Sequence, residues 1–419
     1  MIQRRQSRRL ASIVAIVAIA CLAIAGCSSS KGGGGGKVTL TWWDYFGYSP
    51  QSDGAMTDLI KKYEASHPDV TIKRTAVAYP DFFTKFNQAV ATRKVPDIVS
   101  IDGGTIPSYA AEGAFADLSK YTSNWPTMKQ FYPTVASSVQ VDGKTYGVPF
   151  RSNALILWYN QDQFSKAGIT APPTTWDELA ADAKKLTSGT QSGFCFTGNK
   201  TEATTFVYLS LLWQAGGDLD SLGDAASVNA LNYLSSFVKD GTAPKSVVQW
   251  GWDDLAGQFS AGSCAMMVAG PWVLGDLAKT KVKWTVATVP SGPAGNDATP
   301  LGGEAWTVGA NSKHVPQAWQ LIDWLSQPAN SAKDILQGTQ SVPNRTDQAE
   351  NPDANWSPIV PTVAKAVQVA RTRVQYGSKY NDISTVVQGM VQSALTGQSS
   401  PQQAVDAARS QIAPLLPKS

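Results

Sequence analysis

From residue 37 onward the apolar positions of this chain follow two alternating rhythms. Val38-Thr39-Leu40-Thr41-Trp42-Trp43 repeats every second residue, the period of a strand with one buried face. Residues 55–66 instead set Met56, Leu59, Ile60 and Tyr63 three and four apart, one side of a helix that His67-Pro68 stops. A strand over 70–76, a helix over 82–92 and a short buried strand, Asp97-Ile98-Val99-Ser100-Ile101, come next. That order predicts an α/β architecture on a parallel sheet with right-handed crossovers. Past Val141 the pattern restarts: Asp142-Gly143 is a hairpin turn, 146–149 is extended, and 154–159 is apolar enough for a central strand. Thr175-Trp176-Asp177-Glu178 reads as a capping box, opening a helix whose buried stripe is Leu179, Ala183 and Leu186. Ser399-Ser400-Pro401 starts a last helix with Ala404, Val405, Ala408 and Ile412 on one side. There is no internal repeat.

The first residues follow neither rhythm. Arg4, Arg5, Arg8 and Arg9 precede an uncharged apolar run over 10–25, which ends in Ile24-Ala25-Gly26-Cys27, then three serines and, after Lys31, five glycines. The run is about 16 residues, short of the roughly 20 that span a hydrocarbon core, so it predicts a removed export signal over 1–26. Cys27 at the cleavage site is the expected lipidation position, with 27–36 as a flexible tether to the outer face of the cell membrane. Ser7-Arg8-Arg9 hints at twin-arginine export, and the route stays open.

Removing four arginines and no acidic side chain lowers the formal charge of +3 by four, to −1. The basic balance therefore belongs to the signal, and no later stripe of Lys or Arg suits a phosphate backbone, which argues against nucleic acid. What remains is too long for one core and suits two lobes. Of four cysteines, only Cys195 and Cys264 lie beyond Cys21 and Cys27. In an exported chain these two are expected to pair, closing a loop of about 70 residues and adding about 4 kcal/mol in the chain-entropy model. No Cys or His spacing suggests a metal, no cofactor is called for, and the two histidines, His67 and His314, read as loop residues at helix boundaries.

Four segments occur in order over about 40 residues: Asp142-Gly143-Lys144-Thr145-Tyr146-Gly147-Val148-Pro149, Leu157-Trp158-Tyr159-Asn160, Phe164-x-x-Ala167-Gly168-Ile169 and Pro172-Pro173-Thr174-Thr175-Trp176-Asp177-Glu178-Leu179. With Val95-Pro96-Asp97-Ile98, Phe259-x-x-Gly262-x-x-Ala265-Met266, Gly270-Pro271-Trp272 and Gly302-Gly303, the set resembles the extracellular solute-binding proteins (family 1 type) of carbohydrate ABC importers across nearly the whole mature chain. The resemblance implies the two-lobed, type II periplasmic-binding-protein-like fold, with ligand held in the cleft as the lobes close about a hinge. It implies crossings near Phe150, Leu301 and Val342, so that 37–149 and 302–341 form one lobe and 150–301 and 342–419 the other. It also implies a monomer that works with ABC permease subunits.

A sugar offers a patch of C–H groups to aromatic rings and pairs of hydroxyls to carboxylates and amides, and 14 tryptophans supply the rings. Trp43, Asp44 and Tyr45 close the first strand, where the resemblance puts the cleft; Asp44 serves either as hydroxyl acceptor or as turn cap. Trp42 and Trp43 face opposite sides of that strand, and Trp43, nearer its end, is the choice. Asp102 stands at an equivalent lip, as ligand contact or as N-cap. In the second lobe the resemblance points to Asn153, to Trp272 as a ring-stacking residue, and to Phe206, which competes with a core role; Arg151 is either contact or hinge ion pair. Glu304 belongs to the cleft floor or to a hinge ion pair, and Tyr376 and Tyr380 could cover ligand from the second lobe.

Two other function classes remain. Asp44, Asp102 and Glu304 could supply the acid and base of an exported glycosidase, but the chain has no G-x-S-x-G, H-E-x-x-H or P-loop, and it matches a non-catalytic family. A binding lipoprotein for glycerol phosphodiesters or polyamines would need more cleft arginines or more carboxylates than this set provides.

Overall fold

The computed structural model describes residues 36–418, so the expected signal, Cys27 and nearly all of the tether lie outside the described residues. The strands in chain order are β1 (Val38–Asp44), β2 (Val70–Ala76), β3 (Ile98–Asp102), β4 (Gln140–Val141), β5 (Lys144–Thr145), β6 (Val148–Pro149), β7 (Ile156–Asn160), β8 (Ser192–Cys195), β9 (Cys264–Ala269), β10 (Trp284–Thr288) and β11 (Glu304–Val308). They make two principal sheets, ordered β2-β1-β3-β11-β6 and β10-β7-β9-β8, plus the small β4-β5 hairpin.

The expected parallel sheet holds for β2, β1 and β3, whereas β11 runs antiparallel to both β3 and β6. The reversal has a topological cause: β11 arrives from the second sheet instead of from a helical crossover. The second sheet is mixed too, parallel only between β8 and β9. In β1, Leu40 and Trp42 are buried while Thr41 is exposed, as its alternation requires. Every residue of β9 and β11 is buried, because helices or loops cover both faces.

Local chemistry explains the shifts from expectation. The first helix spans Pro50–Ser66, starting before residue 55 because Pro50 suits its first turn and the Ser49 Oγ accepts from the Ser52 N–H at 3.1 Å. Asp142 and Gly143 both have positive φ (50° and 75°), as a two-residue hairpin turn needs. The capping box at Thr175 is offset by one: its hydroxyl accepts from the Glu178 N–H, but the Glu178 carboxylate accepts from the N–H of Thr174 at 2.7 Å. The last helix, Pro401–Ile412, has a reciprocal box between Ser400 and Gln403. Cys195 and Cys264, on neighbouring strands β8 and β9, form a disulfide with a sequence separation of 69.

The lobes are joined where three stretches meet. The Phe150 N–H donates to the Glu304 carbonyl, Asn153 and Gly302 exchange backbone hydrogen bonds of 2.9 and 3.0 Å, and Val342 bridges Ser152. Gly303 adopts φ 124°, and a Cβ there would lie 2.2 Å from the Arg151 carbonyl oxygen, so this meeting requires glycine. The expected boundary at 342 comes too early. Asn344 and Arg345 fold back onto the first lobe, where the Asn344 carbonyl accepts from Tyr132 N–H and Arg345 bridges Phe131 and donates to the Ser326 carbonyl. The helix Val360–Gln368 then packs on β10 and β7, so the return to the second lobe comes after residue 354.

Candidate functional site

A cleft lies between the sheets at the carboxyl ends of β1, β3 and β9 and the start of β11, the edge where open α/β sheets place their ligand-binding loops. It encloses about 780 Å³ of space between atoms, part of it open solvent. The first lobe contributes Tyr45, Tyr48, Tyr79, Asp102 and Glu304; the second contributes Glu202, Phe206, Trp252, Asp253, Trp272 and Asp276; the junction adds Arg151, Asn153 and Gly302.

Glu304, the first residue of β11, is held from two directions. The Arg151 guanidinium donates to both carboxylate oxygens, from Nε to Oε2 and from Nη2 to Oε1 at 2.9 Å, and the Tyr45 hydroxyl donates to Oε1 at 2.9 Å. Arg151 also donates to the Thr339 carbonyl at 2.6 Å; burial acts to lower its pKa, but the Glu304 charge and hydrogen bond together with Tyr48 and Tyr45 lift it above the ordinary arginine value. A second buried cation closes the opposite end. Arg373 reaches Asp102 of the first lobe at 2.5 Å and Glu202 of the second at 2.7 Å, with its guanidinium 4.9 Å from the Phe206 ring centre. Burial pushes the Glu202 carboxyl up, and Arg373 opposes that push.

The second lobe's wall is aromatic. Trp252 opens the helix Trp252–Ser260, and Trp272 sits in the turn Pro271–Leu274 after β9. Their rings meet edge to face at 5.0 Å, and Phe206 stands edge-on to Trp272 at 6.2 Å. Proline at the start of the turn and Gly270 before it fix this placement: a Cβ on Gly270 would lie 2.0 Å from the indole of Trp272. The Trp272 Nε1 is buried without a hydrogen-bond partner among the described residues. Asp253 and Asp276 stand at the mouth, their carboxyls raised mainly by desolvation and then by neighbouring acidic charge.

The structure brings Tyr45, Asp102, Asn153, Phe206, Trp272 and Glu304 into one cleft and leaves four other expected residues out of its lining. Asp44 is fully buried, takes Arg74 at 2.6 and 2.9 Å, and accepts from the Phe46 N–H, so it is a turn cap with its charge already paired. Trp43 lies under the Lys85 ammonium, 4.5 Å from its ring centre, while Trp42 points inward and donates to Ser100. Tyr376 is 2 % exposed, donates to Asp218 and accepts from the Trp213 indole N–H. Tyr380 sits behind the lining, donating to Glu202. The sequence reading missed Tyr48, Tyr79, Glu202, Trp252, Asp253 and Asp276. Trp252 and Asp253 had a signal in the N-terminal position of an amphipathic helix, but nothing in the sequence aimed that helix end at the cleft.

Comparison with known proteins gives the same picture. The family model for bacterial extracellular solute-binding proteins matches residues 58–362. A probable ABC transporter-binding protein of Deinococcus radiodurans is 29 % identical over 309 residues, 68 % of this chain and 72 % of that protein. The arabinooligosaccharide-binding protein of Bacillus subtilis is 26 % identical over 321 residues, 72 % of each. Among solved structures, an ABC transporter solute-binding protein of Thermotoga lettingae bound with α-D-tagatose superposes with a TM-score of 0.82 at 26 % identity, covering 90 % of this chain and all of that one.

Proposed function

The chain belongs to the bacterial extracellular solute-binding protein family, and from that premise we propose that it captures a mono- or oligosaccharide outside the cell membrane and delivers it to an ABC permease. The observation that carries this reading is the division of the cleft: an aromatic wall of Phe206, Trp252 and Trp272 on one lobe faces Asp102, Glu304 and two tyrosines on the other. Such a site receives the C–H face of a sugar ring on one side and its hydroxyls on the other. A ligand that touches both walls binds the closed arrangement more tightly than the open one, and that difference is what drives closure. Cys27 is the proposed lipid attachment, holding the protein at the membrane as a monomer within reach of the permease.

The ion pairs argue against a glycosidase built on the three carboxylates expected from sequence. Asp44 is locked to Arg74, Glu304 to Arg151 and Asp102 to Arg373, so none of the three sequence candidates is free to exchange protons with a glycosidic oxygen. A thermal-shift screen against mono- and oligosaccharides, glycerol phosphodiesters and polyamines, with product analysis of each hit, tests the proposal. A ligand at 100 times its dissociation constant adds about 2.7 kcal/mol of stability. A stabilising sugar recovered intact supports the receptor; cleavage of that sugar, or a shift only with the other solutes, overturns the reading.

A further inference from the structure

The charges in the cleft do not balance. Five carboxylates, those of Asp102, Glu202, Asp253, Asp276 and Glu304, face two guanidiniums, a surplus of three negative charges. The surplus is unevenly placed. Glu304 has Arg151, and Asp102 and Glu202 share Arg373, whereas neither Asp253 nor Asp276 has an ion pair or a side-chain hydrogen bond among the described residues. Among the described residues that line the cleft Arg151 is the sole cation, and its guanidinium is already held by Glu304 and Thr339.

These two aspartates flank the aromatic corner. Asp253 follows Trp252 at the start of its helix, and Asp276 opens the turn Asp276–Lys279 that follows the turn carrying Trp272. The indoles of Trp252 and Trp272 meet at 64°, so the corner presents ring surface in two directions beside two carboxylates. Carboxylates next to aromatic faces suit an organic ammonium. The ring faces attract it through their quadrupoles, and the carboxylates accept its N–H groups. A neutral sugar hydroxyl can donate to one of these carboxylates but leaves the charge surplus in place. Burial and then the Asp253 charge raise the Asp276 carboxyl, a cost that a bound cation would offset.

We infer that the cleft selects saccharides bearing a protonated amine, with the ammonium held by Asp253 and Asp276 beside Trp252 and Trp272. This rests on the carbohydrate reading above and names the charge class of its ligand. The test is calorimetry on the full chain in mild detergent, at a pH below the pKa of the sugar amines. Matched pairs serve as probes: glucosamine with glucose, galactosamine with galactose, and the β-1,4 glucosamine dimer with cellobiose. In at least one pair the amine should bind about tenfold or more tightly than its neutral partner, by a margin that shrinks as salt rises. The margin should fall to within about twofold in the Asp253→Asn, Asp276→Asn double variant. Both side chains are exposed, so this variant should melt no lower than the parent. If the neutral member binds as tightly in every pair that binds, the amine preference is overturned and the sugar receptor stands. A preference that survives the double variant overturns the assignment to these aspartates. Binding of no saccharide of either kind overturns the carbohydrate reading itself.

Discussion

Replacing Arg373 with methionine would remove the cation that joins the lobes at one end of the cleft. Its side chain is fully buried, donates to Asp102 at 2.5 Å and to Glu202 at 2.7 Å, and makes a third, longer bond of 3.3 Å to the Leu301 carbonyl. Deleting one member of such a buried group leaves the others unpaired and typically costs about 3–5 kcal/mol. We expect that loss at about pH 7.5, where the unfolded chain has both carboxylates ionised and in water. The loss should shrink on acidification, with a sign that follows from Glu202. Burial already raises this carboxyl and Arg373 opposes the rise, so in the variant its pKa goes higher still. Folded variant then takes up a proton at a pH where its unfolded chain does not, and stability rises as pH falls through the raised value. Denaturant unfolding of parent and Arg373→Met at about pH 7.5 and about pH 5.5 measures the gap at each pH, and adding Glu202→Gln should recover part of it. A gap under about 1 kcal/mol at the higher pH, the scale of an exposed pair, would refute the reasoning. So would a gap that widens on acidification.

Trp272→Ala should weaken the ligand found in the screen by about 2–4 kcal/mol with a nearly unchanged melting temperature; a large fall in melting temperature with affinity intact would assign the indole to the core instead. The Cys195→Ser, Cys264→Ser pair should lose about 4 kcal/mol in denaturant unfolding, and reductant should then no longer affect stability. Gly303→Ala must push a methyl against the Arg151 carbonyl in a backbone region that disfavours side chains, so we expect more than about 2 kcal/mol of destabilisation; a neutral outcome in thermal unfolding would mean the junction yields easily.

Period and turn chemistry located most elements before the structure did. The alternation of β1, the helix face of Met56 to Tyr63, the turn at Asp142-Gly143 and the cap at Ser400 are local signals, set by neighbours in sequence. The direction of β11 was not local: it is antiparallel because of where the chain had been, which no window of residues records. The cleft divides in the same way. Trp272 and Glu304 were legible from motifs whose position is fixed by an adjoining strand, but Asp44 looked the same as Asp102 from sequence, each closing a strand. What separates them is Arg74, which β2 brings beside Asp44 from 30 residues away, while Asp102 receives a cation from residue 373. Glu202, Asp253 and Asp276 lacked even that much, since their helix and turn starts aim at the cleft only after the second lobe has packed.

The strand order of the first sheet also sets a timetable. β11 lies between β3 and β6, yet it occupies residues 304–308 of 419, so the sheet's next-to-last place stays vacant until most of the chain exists. Meanwhile β3 has an unpaired edge, and its eventual partner is separated from it by the whole second sheet. Pairings of such long sequence separation form slowly. The seam between β3 and β11 therefore closes late in refolding, however early β1, β2 and β3 pair.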